Sequence, residues 1–190
     1  SAANLLATLA QNNPPVQLAM WQQRIIEKLV SLCMTTESPA VCSKCLYGIS
    51  CIVRGYAHAE NHFCVNYAST LLPHALHTKH PAFVRRALFL ASSLLASDDA
   101  SPERVSMLAA ALLPSCFEYL VHDDVDARES VIRLLSSLAG TDNGKAALQQ
   151  HANALREVII QRENTNCGAE EEQNAHEVGQ LQELKSLLAL

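Results

Sequence analysis

The chain has 190 residues, of which 49% are hydrophobic and 17% charged, and its formal net charge is −5. Such a chain can bury a normal hydrophobic core, and its acidic balance lacks the basic footprint that binding to a phosphate backbone requires. Because no apolar run approaches the roughly 20 residues of a membrane-spanning helix, we expect a soluble protein that binds neither nucleic acid nor membranes.

Four similar segments recur along the chain at nearly constant spacing. They begin at Ala2, Cys45, Ala87 and Val131, and their spacing falls within the range of about 40 to 47 residues that armadillo and HEAT repeats have. Helical patterning at this period indicates an α-solenoid. We therefore predict an all-α fold, an armadillo-like α-solenoid that is a right-handed superhelix of three-helix repeats.

Proline-containing stretches divide the chain into these repeats. The run Asn13-Pro14-Pro15 ends the first helix, because proline cannot donate to a helical ladder and restrains the residue before it. Since the chain begins inside the last helix of a repeat, we expect a fragment of a longer protein. We predict one armadillo-repeat domain over 1–190, made of a repeat end at 1–13, full repeats at 14–55, 56–97 and 98–141, and an irregular C-terminal cap at 142–190.

The predicted helices follow from capping residues and apolar spacing. Ser38-Pro39 and Ser101-Pro102 each supply an N-cap followed by proline at the first helical position. Asp123 or Asp124 caps a further helix. In the first part of the chain we predict helices at 16–23 and 24–34, from Ser38 through Lys44 to Arg54, at 58–67, and beginning at Leu71 and at His80-Pro81. In the rest of the chain we predict helices that begin at Ser101, at Leu112 and at Asp123 or Asp124, and helices at 145–152, 153–162 and 175–190. A turn is predicted at 141–144 and an acidic loop at 163–174.

The third helix of each repeat has two different faces. In the third repeat segment an apolar stripe at spacings of three and four residues predicts the core face; it consists of Val84, Ala87, Leu88, Ala91, Leu94 and Leu95. The opposite face carries Arg86, Phe89 and Ser93. The equivalent positions in the other segments are Lys44, Tyr47 and Cys51; Ser130, Arg133 and Ser137; and Ser1, Asn4 and Thr8.

These opposite faces predict a surface for a protein partner. In armadillo solenoids the third helices line the concave side, so stacking them predicts a ladder of Asn4, Tyr47, Phe89 and Arg133. Aromatic and arginine side chains are enriched at binding hot spots, and positive charge steers an acidic partner. The alternative is that the two aromatic rings pack into the repeat interface and the cations are only solvated. The candidate partner-binding residues are Lys44, Tyr47, Arg54, Arg85, Arg86, Phe89, Asn4 and Arg133.

The residue type late in each third helix bears on the kind of partner. Armadillo repeats that hold extended peptides place asparagine there, whereas this chain has Thr8, Cys51, Ser93 and Ser137. The missing asparagines favour a folded domain as the partner.

The seven cysteines are odd in number and lie mostly within apolar helical patterns. A buried reduced thiol behaves as a small hydrophobic group, and disulfides persist only in oxidising compartments. We therefore predict a reducing compartment and a cytoplasmic location, with the endoplasmic reticulum lumen as the alternative if a signal has been removed from the N-terminus.

Two groups of residues resemble metal ligands but are incomplete. Closed zinc sites need four ligands, and neither the histidine series His74, His77 and His80 near Cys64 nor the pair Cys42 and Cys45 has a second matching pair. There is also no phosphate-binding loop, nucleophile elbow or metalloprotease motif. We predict no metal, no cofactor and no enzymatic activity.

The segment from Lys44 to Arg54, KCLYGISCIVR, resembles the armadillo-type nucleotide exchange factors of heat-shock-70 chaperones, the family that includes the heat-shock-70-binding protein, Fes and Sil. Residues 2–12, 86–95 and the final helix through Glu183 resemble the same family, so the resemblance covers nearly the whole chain.

The resemblance implies that a monomer binds the ATPase domain of a heat-shock-70 (DnaK-class) chaperone through its concave face and promotes ADP release. It implies contacts from Lys44, Tyr47, Arg54, Arg86 and Phe89. A generic armadillo adaptor with another folded partner is the alternative function.

Overall fold

The computed structural model of the chain describes residues 2–166 and 171–188, and within these ranges the ordered elements are helices, with no β-strand. The prediction of an all-α protein is therefore confirmed. No helix in the described ranges is both long enough and apolar enough to span a membrane. The chain forms two compact units, Ser1–Ala100 and Ser101–Leu190, and each is described by itself.

The first unit is built around α4, against which α1, α3 and α7 pack. A π-helical turn, Cys64–Ala68, joins α5 to α6 without a break in the helical chain. The helices of this unit are α1 (Ala2–Ala10), α2 (Pro14–Gln22), α3 (Ile25–Thr35), α4 (Pro39–Val53), α5 (Ala57–Phe63), α6 (Ser69–His77) and α7 (Pro81–Leu95).

Local chain chemistry sets the helix boundaries in this unit. Pro39 and Pro81 occupy the first helical positions of α4 and α7, where the missing N–H costs nothing and the fixed φ suits the helix. Arg24, between α2 and α3, adopts a left-handed conformation with φ of 56°. Because that conformation interrupts a right-handed helix, the chain changes direction there.

The second unit contains five helices in its described part. The two N-caps predicted in this unit accept backbone hydrogen bonds as N-cap side chains do: Ser101 Oγ from Arg104 N at 3.2 Å and Asp124 Oδ1 from Ala127 N at 3.2 Å. Asp124 rather than Asp123 is therefore the cap. The helices are α8 (Pro102–Leu120), α9 (Val125–Ala139), α10 (Asp142–Gln150), α11 (Ala152–Asn166) and α12 (Glu171–Leu188).

The predicted helix breaks ahead of Leu71 and Leu112 are wrong. α8 runs unbroken through Pro114, and α5 continues through the π-helical turn into α6, which contains Pro73. An internal proline removes one hydrogen bond and strains the preceding turn, but the apolar side of α8 stays buried on both sides of it. Burial of this continuous apolar side outweighs the local preference for a break.

Two predictions near the C-terminus are also corrected. The predicted turn at 141–144 is the start of α10, because Thr141 Oγ1 accepts a hydrogen bond from Gly144 N at 3.1 Å and caps the helix. The predicted acidic loop at 163–174 is helical at 163–166 and 171–174. The remaining residues of that prediction, 167–170, lie outside the described residues.

The core of the first unit follows the predicted faces. The apolar stripe of α7 is buried, so this part of the prediction is confirmed. Cys45, Ile49 and Ile52 of α4 are buried as well. Six cysteines are free and buried, and Cys167 lies outside the described residues.

One buried ion cluster fixes α12 to α9 and α11 in the second unit. Both carboxylate oxygens of Glu177 accept hydrogen bonds from Arg128 on α9, and Oε1 also accepts one from Arg162 Nε on α11 at 2.6 Å. Burial alone would raise the pKa of Glu177, but the hydrogen bonds and positive charges of Arg162 and Arg128 together hold it below its ordinary value. Arg128 Nη1 also donates to the His122 carbonyl at 2.6 Å.

We expect Glu177→Gln to lower the free energy of unfolding at pH 7 by about 3 to 5 kcal/mol, because it leaves two arginines without their buried counter-charge. Since the folded-state pKa of Glu177 lies below its unfolded value of about 4.3, its contribution is complete above that value and is lost as the pH falls through the folded pKa. Urea unfolding at pH 7 and near pH 3 checks this, with exposed Glu183→Gln on the same helix as the control. An equal effect at both pH values would contradict the ionic role.

Candidate partner-binding surface

The candidate surface lies on α4 and α7, on the sides that face away from the core. Phe89 on α7 is 52% exposed, and Tyr47 on α4 is half-buried. The alternative interpretation required Phe89 to pack into an apolar interface between the helices. Its exposure shows that it does not. The structure brings Tyr47, Arg54, Arg85, Arg86 and Phe89 together around one cavity.

Two cation–π contacts cross between the helices. The Arg54 guanidinium, at the C-terminal end of α4, lies 4.6 Å from the centroid of the Phe89 ring on α7. The Arg86 guanidinium of α7 lies 4.6 Å from the centroid of the Tyr47 ring on α4. Arg54 Nε also donates to Ser93 Oγ at 3.0 Å. Each contact contributes about 0.5 to 1 kcal/mol when exposed, and together they restrain both rings and both cations.

The C-terminal end of α4 is held by a residue that the sequence analysis missed. Gln17 of α2 is 2% exposed, and its Nε2 donates to the carbonyls of Cys51 and Arg54, both at 2.9 Å. The last carbonyls of a helix have no partner within the helix, so the amide satisfies acceptors that would otherwise need water. Gln17 thereby fixes the backbone from which Arg54 reaches Phe89.

The other predicted contact residues have different surroundings. Lys44 is exposed on α4, and Asn4 is exposed on α1, where its carbonyl accepts a hydrogen bond from Thr8 Oγ1 at 3.0 Å. Arg133 is exposed on α9 of the second unit. Of the four residues in the predicted ladder, Tyr47 and Phe89 line the same cavity.

Cys51 lies beside Tyr47 and Arg54 in the lining of a cavity on this face. Its side chain is nonetheless buried, at 8% exposed. Burial raises the pKa of the Cys51 thiol, although a hydrogen bond with Tyr47 and the charges of Arg54 and Arg86 act in the opposite direction. The thiol is therefore protonated at neutral pH.

Two adjoining cavities share Tyr47, Ser50 and Arg54. The first has a volume of about 420 Å³, and Ala82, Arg85, Arg86 and Phe89 complete its lining. The second, of about 590 Å³, extends past the end of α7 to Asp98 and Asp99. The surface is thus cationic and aromatic at one end and anionic at the other.

The histidines and cysteines considered as metal ligands have other contacts. Cys33 and Cys42 exchange hydrogen bonds, each thiol donating to the other residue's carbonyl at 3.3 Å, and burial raises the pKa of Cys33. His77 Nδ1 donates to the Pro73 carbonyl at 2.7 Å, and His74 packs edge-on against Phe83. In the described part of the chain, no group of three or more histidine, cysteine or acidic residues is arranged to hold a metal ion.

Comparison with known proteins identifies the fold. A crystal structure of an engineered protein matches 97% of this chain and 91% of its own length, with a TM-score of 0.68 and 20% identity. The designed armadillo repeat protein YIII(Dq)4CqI matches 98% of this chain and 92% of its own length, with a TM-score of 0.64 and 15% identity. The chain therefore has an armadillo-like α-solenoid fold.

A further designed armadillo repeat protein, YIII(Dq.V1)4CPAF, is described in complex with the peptide (KR)4. It matches 98% of this chain and 91% of its own length, with a TM-score of 0.50 and 15% identity. No family model and no curated protein sequence matches the chain. The comparisons therefore establish the fold, and they do not show membership of the exchange-factor family.

We expect Gln17→Ala to lower the free energy of unfolding by about 1 to 3 kcal/mol, because the buried carbonyl of Cys51 and the partly buried carbonyl of Arg54 lose their donor. Exposed Gln22→Ala on the same helix is the matched control, with an expected change within about 0.5 kcal/mol. Chemical denaturation followed by circular dichroism measures both. Equal small effects would show that water replaces the amide without cost.

Proposed function

We propose that this armadillo-like protein binds another protein through the surface formed by Tyr47, Arg54, Arg86 and Phe89. The observation that carries the proposal is the pair of cation–π contacts that holds two aromatic rings and two arginines in fixed positions at the surface. Because these side chains are already restrained, a partner loses less conformational entropy on binding them. Aromatic and arginine anchors of this kind carry a large share of binding energy in protein interfaces.

The charge of the surface distinguishes it from one that binds basic peptides. One designed armadillo protein of similar fold is described with the peptide (KR)4. Here Arg54, Arg85 and Arg86 line the cavity beside Phe89, and they would repel lysine and arginine. Late in the third helices the chain has Thr8, Cys51, Ser93 and Ser137 in place of asparagine. Both the positive charge and these substitutes for asparagine favour a partner other than a basic peptide.

The specific partner that we propose is the ATPase domain of a heat-shock-70 chaperone, with release of ADP as the outcome. This rests on the resemblance of the segment Lys44 to Arg54 to the exchange-factor family. An exchange factor works by preferring a chaperone conformation that binds ADP weakly, and this coupling is reciprocal. A generic armadillo adaptor remains the second candidate, and the exposed aromatic surface supports both.

We expect the double variant Arg54→Ala, Phe89→Ala to weaken binding to the chaperone ATPase domain by about 2 to 4 kcal/mol, because it removes both members of one cation–π pair. In the exchange assay, release of a fluorescent ADP from the ATPase domain should be accelerated by the wild-type protein and no longer by the variant at the same concentration. Circular dichroism must show that the variant remains helical.

Val65→Ala is the matched control, since Val65 is a large apolar residue of the same unit that is 71% exposed and lines neither cavity. It should leave exchange unchanged. If the wild-type protein binds the ATPase domain without accelerating release, the exchange role is excluded and the adaptor function stands. Unchanged exchange in a folded double variant would show that the surface is elsewhere.

A further inference from the structure

The smaller cavity between α4 and α7 has an uneven distribution of charge. Its lining includes three arginines, Arg54, Arg85 and Arg86, and no acidic residue. In the part of the chain that the structure describes, neither Arg54 nor Arg86 forms an ion pair with a carboxylate; their contacts are the two aromatic rings and Ser93. A protein with a net charge of −5 therefore concentrates positive charge at one surface.

The geometry of the two guanidinium groups leaves hydrogen-bond donors available. A guanidinium that lies over a ring uses its flat face, whereas its five N–H donors project from its edge. Arg54 uses Nε on Ser93, so the donors of its two terminal nitrogens have no described acceptor. Carboxylates match this edge geometry and form the strong class of charge-assisted hydrogen bonds.

We infer that this cavity receives an acidic side chain of the partner protein, with an apolar partner residue beside it on the exposed ring of Phe89. The inference rests on the proposed function and specifies the chemistry of the partner at that surface. The carboxylate would bridge Arg54 and Arg86, whose positions are set in advance by Phe89 and Tyr47. Preorganisation of this kind lowers the entropic cost of recognition.

The adjoining larger cavity restricts where the acidic residue binds. Asp98 and Asp99 line its far end beyond α7, and like charges repel a carboxylate there. Arg54 lines both cavities, so they form a single groove. The charge of its lining changes from positive at one end to negative at the other. The acidic residue is therefore confined to the end that holds Arg86.

Fluorescence anisotropy with three labelled octapeptides tests the inference. The peptides alternate leucine with aspartate, with asparagine or with lysine, so they share apolar content and differ in charge. We expect the aspartate peptide to bind at least tenfold more tightly than the asparagine peptide and the lysine peptide not to bind. Arg86→Gln and Arg54→Gln should each lower the affinity for the aspartate peptide at least fivefold. The affinity of the wild-type protein for this peptide should also fall with added salt, because charge screening increases.

Arg156→Gln is the control, because Arg156 is an exposed arginine of the second unit and its replacement changes the net charge equally. It should leave peptide affinity unchanged. Equal binding of the aspartate and asparagine peptides, both lost in Phe89→Ala, would overturn the acidic specificity while leaving the proposed surface intact. Failure of the aspartate peptide to bind would also overturn the inference, as would an equal loss of peptide affinity in Arg156→Gln. The ADP-release assay tests the proposed function separately.

Discussion

The packing of α4 against α7 is the constraint on which the candidate surface depends. Each helix buries an apolar side, and this fixes its rotation about its own axis. The directions of the side chains on the opposite side of each helix are then fixed as well. Arg86 therefore contacts Tyr47, and Arg54 contacts Phe89. The same apolar spacing that builds the core therefore also determines which cation lies over which ring.

The parts of the structure that follow local rules could be predicted from the sequence. Apolar spacing gave the core sides of α4 and α7, and prolines marked where both helices begin. The breaks predicted near Pro73 and Pro114 failed because a local preference was weighed without the burial of the continuous apolar side around it. Neither Gln17, which bonds a carbonyl 34 residues away, nor Glu177, whose arginine partner is 49 residues away, leaves a local signal; only the fold brings those partners together.

The surroundings of the aromatic residues are intermediate between a buried interface and a solvated surface. Phe89 is half-exposed and still restrained, because Arg54 covers one side of its ring while Ser93 holds Arg54. Sequence spacing placed the aromatic and cationic residues on the same face, but it could not show that they pair across two helices. The pairing matters for function, since an exposed ring on a mobile side chain would lose more entropy on binding than this restrained one.

A surface that binds a partner does not by itself promote nucleotide release. A ligand shifts a conformational equilibrium only by the difference between its affinities for the two states. If the restrained arginines contact a carboxylate that keeps its position in both states of an ATPase domain, they contribute affinity and no exchange. If the carboxylate moves when ADP leaves, the rigid spacing of Arg54 and Arg86 favours one state over the other. Rigidity at this surface is thus the property that would allow the same contacts to serve either an adaptor or an exchange factor, and the partner's own motion decides between them.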